Sequence, residues 1–219
     1  MLTDLGGNLF LDGPAGRLEA IIKDPPTRTG RSAVICHPHP LYGGTMHNKV
    51  VYRIAKAFNE AGFTALRFNF RGVGLSAGSH DAGNGEQQDL VAAIDFVERT
   101  YPGDEIWLAG FSFGSAVMLK VACPEPRVAR LIAVGVPVSM YDLDQLPVCG
   151  KPKLFVQGSR DQFGPVDQLE KFFRRVGEPK KLAIIDDADH FFEGHLGEMA
   201  DAISRFIEES LEISQPNGV

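Results

Sequence analysis

Long apolar runs are missing from this chain: none approaches the ~18 residues that a membrane-spanning helix needs. The opening Met1-Leu2-Thr3-Asp4-Leu5-Gly6-Gly7 has no basic stretch and no apolar stretch behind it, so it does not read as a secretory signal. Cysteine is scarce. Cys36, Cys123 and Cys149 are odd in number, far apart and without Cys-x-x-Cys spacing, which predicts reduced thiols and a soluble, cytoplasmic protein. Concentrated positive charge is absent too: 22 Lys and Arg are scattered among 28 Asp and Glu, for a net charge of −6. That balance argues against a nucleic-acid or membrane partner and for a small-molecule one, in a monomer or homodimer. Internal repeats and low-complexity tracts are lacking, and 219 residues demand no second domain. Residues 1–219 are therefore expected to fold around one core, with 214–219 as a frayed tail.

What the chain does have is an alternation of apolar runs and helical stripes. Residues 18–22, 32–36, 64–70, 106–109, 131–136, 153–158 and 181–185 read as strands. Residues 50–61, 89–100, 115–123 and 166–176 read as helices, and Met199, Ile203 and Phe206 mark a terminal amphipathic one. The alternation predicts an α/β fold, a mostly parallel central sheet with helices on both faces.

One motif within it carries chemistry. Gly110-Phe111-Ser112-Phe113-Gly114 sits between an apolar strand and a helix, where a serine on a sharp turn is exposed as a nucleophile and flanking side chains would collide. A serine hydroxyl is a weak nucleophile at neutral pH and needs a histidine base that a carboxylate holds in place. Asp161 follows the strand at 153–158, and His190 follows the strand at 181–185, so both fall on the same sheet edge as Ser112. Asp167, Asp142 and Asp144 compete less well with Asp161. His195, five residues further on, competes with His190 but lies toward the terminal helix. The order Ser112, Asp161, His190 is the nucleophile, acid, base order of one fold.

Gly110 to Gly114, Gly158-Ser159-Arg160-Asp161 and Ala188-Asp189-His190-Phe191-Phe192 resemble the α/β-hydrolase superfamily over nearly the whole chain. His37-Pro38, Gly43-Gly44, Met46-His47-Asn48-Lys49 and Arg67-Phe68-Asn69-Phe70-Arg71-Gly72-Val73-Gly74 are similar to a small bacterial esterase group akin to the dienelactone hydrolases. Those enzymes use a cysteine nucleophile. Ser112 departs from that pattern and favours a general ester hydrolase with an α/β-hydrolase fold. The resemblance implies an oxyanion hole made by the backbone N–H of Phe113 and one from the loop after His37. Pro38 and Pro40 have no N–H, which leaves His39, Leu41 and Tyr42; the resemblance favours His39.

Phe111, Phe163 and Phe191, each close to a candidate catalytic residue, are expected to line a substrate pocket with Leu41 and Tyr42. Phe68, Phe70, Phe155 and Phe206 fit core positions. His37, His39 and His47 have no Cys or carboxylate spaced with them, so they read as loop-shaping groups, not a metal site. Gly72-Val73-Gly74 fails as a dinucleotide fingerprint because loop, not helix, follows it. Arg71 either orders that loop or is solvated. Residues 137–152 leave room for one short helix and no large lid. The expected activity is hydrolysis of short or medium acyl esters without a cofactor. A thioesterase, acyltransferase or small peptidase on the same three residues, or a non-catalytic binding module, are the alternatives.

Overall fold

The computed structural model describes residues 9–143 and 148–213, so the opening segment and the expected tail at 214–219 lie outside the described residues. Six strands are mutually parallel: β3 (Arg31–Cys36), β4 (Thr64–Phe68), β5 (Glu105–Phe111), β6 (Val128–Val134), β7 (Lys153–Gly158) and β8 (Lys180–Ile185). β1 (Leu9–Gly13) and β2 (Gly16–Lys23) form a hairpin, and β2 runs antiparallel to β4. The sheet order is β1-β2-β4-β3-β5-β6-β7-β8. The chain therefore winds outward from β3 in one direction to β4 and in the other to β5. Open α/β sheets bind ligands at such a switch point, beyond the carboxyl ends of the strands.

The strands read as continuous apolar runs because both faces are covered. On β3, Val34 and Cys36 join one core while Ala33 and Ile35 join the other. The first core packs against α2 (Asn84–Thr100), α3 (Phe113–Ala122) and α4 (Val166–Arg175), the second against α1 (Lys49–Glu60) and α5 (Leu196–Ile213). Trp107 on β5 anchors the second core, edge-on to Phe63 at 5.1 Å and to Phe206 at 6.1 Å. Phe68, Phe70, Phe155 and Phe206 are all core residues.

Several expectations shift. β1 had no counterpart in the sequence reading. β4 stops at Phe68 instead of residue 70 because the Phe70 N–H turns away to His37 Nε2 at 3.0 Å. α2 begins at Asn84, ahead of the expected Asp89, where Glu86 in its first turn accepts from the Asp81 and Gly83 amides at 2.9 and 2.8 Å. The described residues between β6 and β7 are turns and irregular chain.

The cysteine reading is overturned for two of the three residues. Cys123 and Cys149, separated by 26 positions, form a disulfide with a Cα–Cα distance of 5.3 Å, and only Cys36 is free. The pair meets because the end of α3 lies beside the chain that enters β7. Disulfides persist in oxidising surroundings, so cysteine content no longer argues for a reducing compartment. Among the described residues no helix is long and apolar enough to cross a membrane.

Arg71 is settled as an organising residue. Its guanidinium and its own amide bond the fully buried Asp89 carboxylate, with Nη2 at 2.8 Å from Oδ1 and the amide N at 3.0 Å from Oδ2. A Cβ on Gly85 would stand 1.9 Å from Arg71 Nη1, so α2 presents bare backbone there. Asp89→Ala leaves these donors without an acceptor, and its expected cost is about 3 kcal/mol. A lower urea midpoint at unchanged m value would show it, whereas an unmoved midpoint would count against the pair.

Candidate active site

Ser112 lies in the turn between β5 and α3 with φ 54° and ψ −122°, a region that side-chain-bearing residues rarely occupy. The turn closes because its neighbours have no side chains. A Cβ on Gly110 would lie 2.4 Å from the Gly114 carbonyl oxygen, and one on Gly114 2.5 Å from the carbonyl oxygens of Cys36 and His37. The Ser112 N–H donates to Val134 O at 2.9 Å, which fastens the turn to β6.

His190 reaches Ser112 from the turn after β8, its Nε2 2.9 Å from Ser112 Oγ and its Nδ1 2.7 Å from Asp161 Oδ2. Asp161, after β7, is nearly fully buried. Its Oδ1 accepts from the Phe163 and Gly164 amides at 2.8 and 2.9 Å, and its Oδ2 accepts from Gln157 Nε2 at 2.8 Å as well as from His190. With the carboxylate accepting on both oxygens, His190 Nδ1 carries the proton and Nε2 is left to accept from the serine. Gln157 is itself pinned, accepting from Val136 N–H at 2.9 Å and donating to Gly164 O at 2.9 Å. The crossing of the two loops also needs Gly158, whose Cβ would lie 2.3 Å from Ala188 O. Of the competing residues, Asp167 is in the first turn of α4 and His195 pairs with Glu198 at 3.0 Å, while Asp144 lies outside the described residues.

Beside Ser112 and His190 opens a cleft of about 140 Å³. Tyr42, Phe113, Tyr141, Phe163 and Phe191 line it, and no Asp, Glu, Lys or Arg among the described residues does. Two of the expected pocket residues do not line this cleft. Phe111 is fully buried, its ring 5.1 Å from the His190 ring, because alternation along β5 turns it into the second core. Leu41 is 69% exposed on the surface of a 3-10 turn spanning Pro40–Tyr42. Phe163 and Phe191 also pack on the imidazole, at 4.7 and 5.2 Å.

The loop after β3 is built by histidines and glycines. His37 is buried; its Nε2 accepts from Phe70 N–H, so its Nδ1, 2.6 Å from Pro38 O, is the donor. His39 Nδ1 accepts from Leu41 N–H at 3.2 Å, and its carbonyl accepts from the Tyr42 and Gly44 amides at 3.1 and 3.0 Å. A Cβ on Gly44 would sit 2.1 Å from Pro38 O. Asn69 ties this loop to β2, accepting from Met46 N–H and donating to Glu19 Oε2, both at 2.8 Å. His47 is exposed. Among the described residues no group of three or more His, Cys, Asp or Glu could hold a metal ion.

The sequence profile of the alpha/beta hydrolase domain family matches residues 33–210. The chain belongs to that family. The hydrolase is 34% identical over 208 residues to an uncharacterized protein of Rickettsia prowazekii, covering 91% of this chain and 87% of that one. Its fold superposes on an alpha-beta serine hydrolase homologue from Coxiella burnetii with a TM-score of 0.89 at 42% identity, covering 94% of this chain and 98% of the other. A Xanthomonas campestris serine hydrolase without a lid matches with a TM-score of 0.87 at 36% identity, over 93% of this chain and 94% of that one. Among the described residues of the hydrolase no lid domain is present.

Sequence reasoning missed Gln157, a polar side chain inside the apolar run of β7, and Glu86 and His80, which no motif marks. His37 supplies a pH test. Burial pushes its imidazole down to about 4, against a smaller opposing effect of the Pro38 carbonyl. Between pH 6.5 and about 4 the unfolded chain therefore holds a proton that the native state excludes, so stability falls as pH drops through that window, by up to about 3 kcal/mol. The stability advantage of the wild type over His37→Asn, measured by urea unfolding, is expected to shrink across it; a constant gap would contradict the assignment.

Proposed function

We propose that the protein is a serine carboxylesterase acting on neutral esters of short or medium acids through an acyl-enzyme. The observation that carries this reading is the Ser112–His190 contact of 2.9 Å at a serine held at positive φ, with Asp161 behind the imidazole. His190 Nε2 takes the hydroxyl proton as Ser112 Oγ attacks the ester carbonyl, and Asp161 steadies the imidazolium. Collapse of the tetrahedral adduct breaks the bond to the alcohol oxygen, which receives the proton from His190. Water then repeats the cycle on the acyl-serine and releases the acid. The backbone N–H groups of Phe113 and His39 serve as oxyanion donors. The first heads α3, where an N–H has no partner within the helix.

The cleft supports the substrate class. Its volume is close to that of an apolar cavity of about 150 Å³ that accepts benzene, enough for one ring or a short chain. Among the described residues the wall carries no fixed charge and offers no partner to the phosphates of a coenzyme A thioester or to the charged terminus of a peptide. The description of the Xanthomonas relative as a serine hydrolase without a lid agrees with a site open to dissolved esters.

Hydrolysis of 4-nitrophenyl acetate, butyrate, octanoate and palmitate tests the proposal. Activity is expected to be highest on the shorter esters and to vanish in folded Ser112→Ala. Asp161→Asn is expected to lower kcat by about 10³–10⁴-fold through loss of the correct tautomer. Phe163→Ala and Phe191→Ala are expected to move chain-length preference upward. Equal turnover by wild type and Ser112→Ala, or a jump in rate above the solubility limit of palmitate, would contradict the reading.

A further inference from the structure

His80 belongs to no motif and does not line the cleft, yet it touches both residues whose amides are read above as the oxyanion donors. Its ring centroid is 4.9 Å from that of His39 and 5.6 Å from that of Phe113, and those two rings are 4.9 Å from each other. The three rings thus form a closed triangle at the junction of three segments: the loop after β3, the start of α3 and the loop before α2.

The outer side of the triangle is anchored. His80 Nδ1 lies 2.8 Å from Glu86 Oε1, at ion-pair distance but not aligned as a hydrogen bond. Glu86 is fully buried, and its two oxygens accept from the Asp81 and Gly83 amides. The segment that carries His80 is thereby fixed to α2, and the Arg71–Asp89 pair fixes its other end to the same helix. His37 and the 3-10 turn set the backbone path of residues 37–44, and the Cys36 and His37 carbonyls approach α3 closely at Gly114, where an added Cβ would lie 2.5 Å from each. Beyond that backbone contact, His39 and Phe113 meet through their rings, and His80 packs on both.

We propose that His80, backed by Glu86, is a positioning residue whose ring, closing the triangle with His39 and Phe113, holds the amides of those two residues at their working separation. This rests on the oxyanion reading. Oxyanion donors must sit 2.7–3.1 Å from the developing charge, and a displacement of about 1 Å costs roughly a hundredfold. Because His80 has no access to bound substrate, its loss lowers kcat and leaves KM in place, the pattern of an interaction made only in the transition state.

His80→Ala and His80→Phe test this, with kcat and KM on 4-nitrophenyl butyrate, the second-order rate of Ser112 labelling by a fluorophosphonate, and the thermal midpoint measured for each. His80→Ala is expected to slow turnover and labelling by about ten- to a hundredfold with KM changed by less than about twofold. His80→Phe, which keeps a planar ring, is expected to recover most of that loss. If His80→Ala does not fold, His80→Leu takes its place with the same expectation. A truncated variant as fast as wild type, a change confined to KM, or a His80→Phe enzyme as slow as the truncated one would overturn the inference alone. A wild type that neither turns over the ester nor takes the label would overturn the esterase reading beneath it.

Discussion

The backbone of Ser112 at positive φ is the constraint on which the rest of the site depends. A side-chain-bearing residue there costs of order 1–3 kcal/mol and persists only where its surroundings over-determine it. Here they do. Gly110 and Gly114 remove the side chains that would collide with backbone, the Ser112 amide is tied to β6, and the Ser115 hydroxyl donates to Ser112 O at 2.6 Å. The turn aims one hydroxyl out of the carboxyl edge of the sheet, and the sheet order then brings the ends of β3, β7 and β8 around it. Strain at one residue and topology across six strands are two parts of a single arrangement.

Polar groups at the site are satisfied from behind and open in front. Asp161 receives four hydrogen bonds, so its orientation is fixed before any substrate arrives. His190 is clasped by three phenylalanine rings, Phe111, Phe163 and Phe191, which exclude water from its flanks while its Nε2 faces the serine. In the proposed reaction this matters twice. A fixed carboxylate stabilises the imidazolium without reorganising, and an uncharged cleft keeps the field of the two oxyanion donors unscreened. Burial of His39, with His80 next to it, also holds the His39 imidazole below its ordinary range, which keeps a neutral ring at the mouth of the cleft.

The sequence made legible those features that repeat or sit at strand ends. Apolar runs located the parallel strands because burial on both faces leaves few polar positions in them, and Ser112, Asp161 and His190 followed as polar residues just past three of those runs. Features created by distant parts of the chain were not legible. The Cys123–Cys149 disulfide joins an α3 end to a loop 26 residues later, and spacing alone does not reveal such a meeting. Phe111 looked like a pocket residue by adjacency to Ser112, but strand alternation decides its direction and turns it inward. β1 was hidden because a short edge strand of mixed burial carries no clear period. Arg71, Asp89, Glu86 and His80 acquire roles only when α2 is packed against the loop it follows.

The most direct test of the account is a crystal structure of the protein after reaction with a small alkyl fluorophosphonate, which leaves a tetrahedral phosphorus where the ester carbon would stand. The account predicts phosphorus bonded to Ser112 Oγ, a phosphoryl oxygen within about 2.7–3.1 Å of the Phe113 and His39 amide nitrogens, and His190 still bonded to Asp161. An adduct on another residue, or a phosphoryl oxygen turned away from both amides, would contradict it.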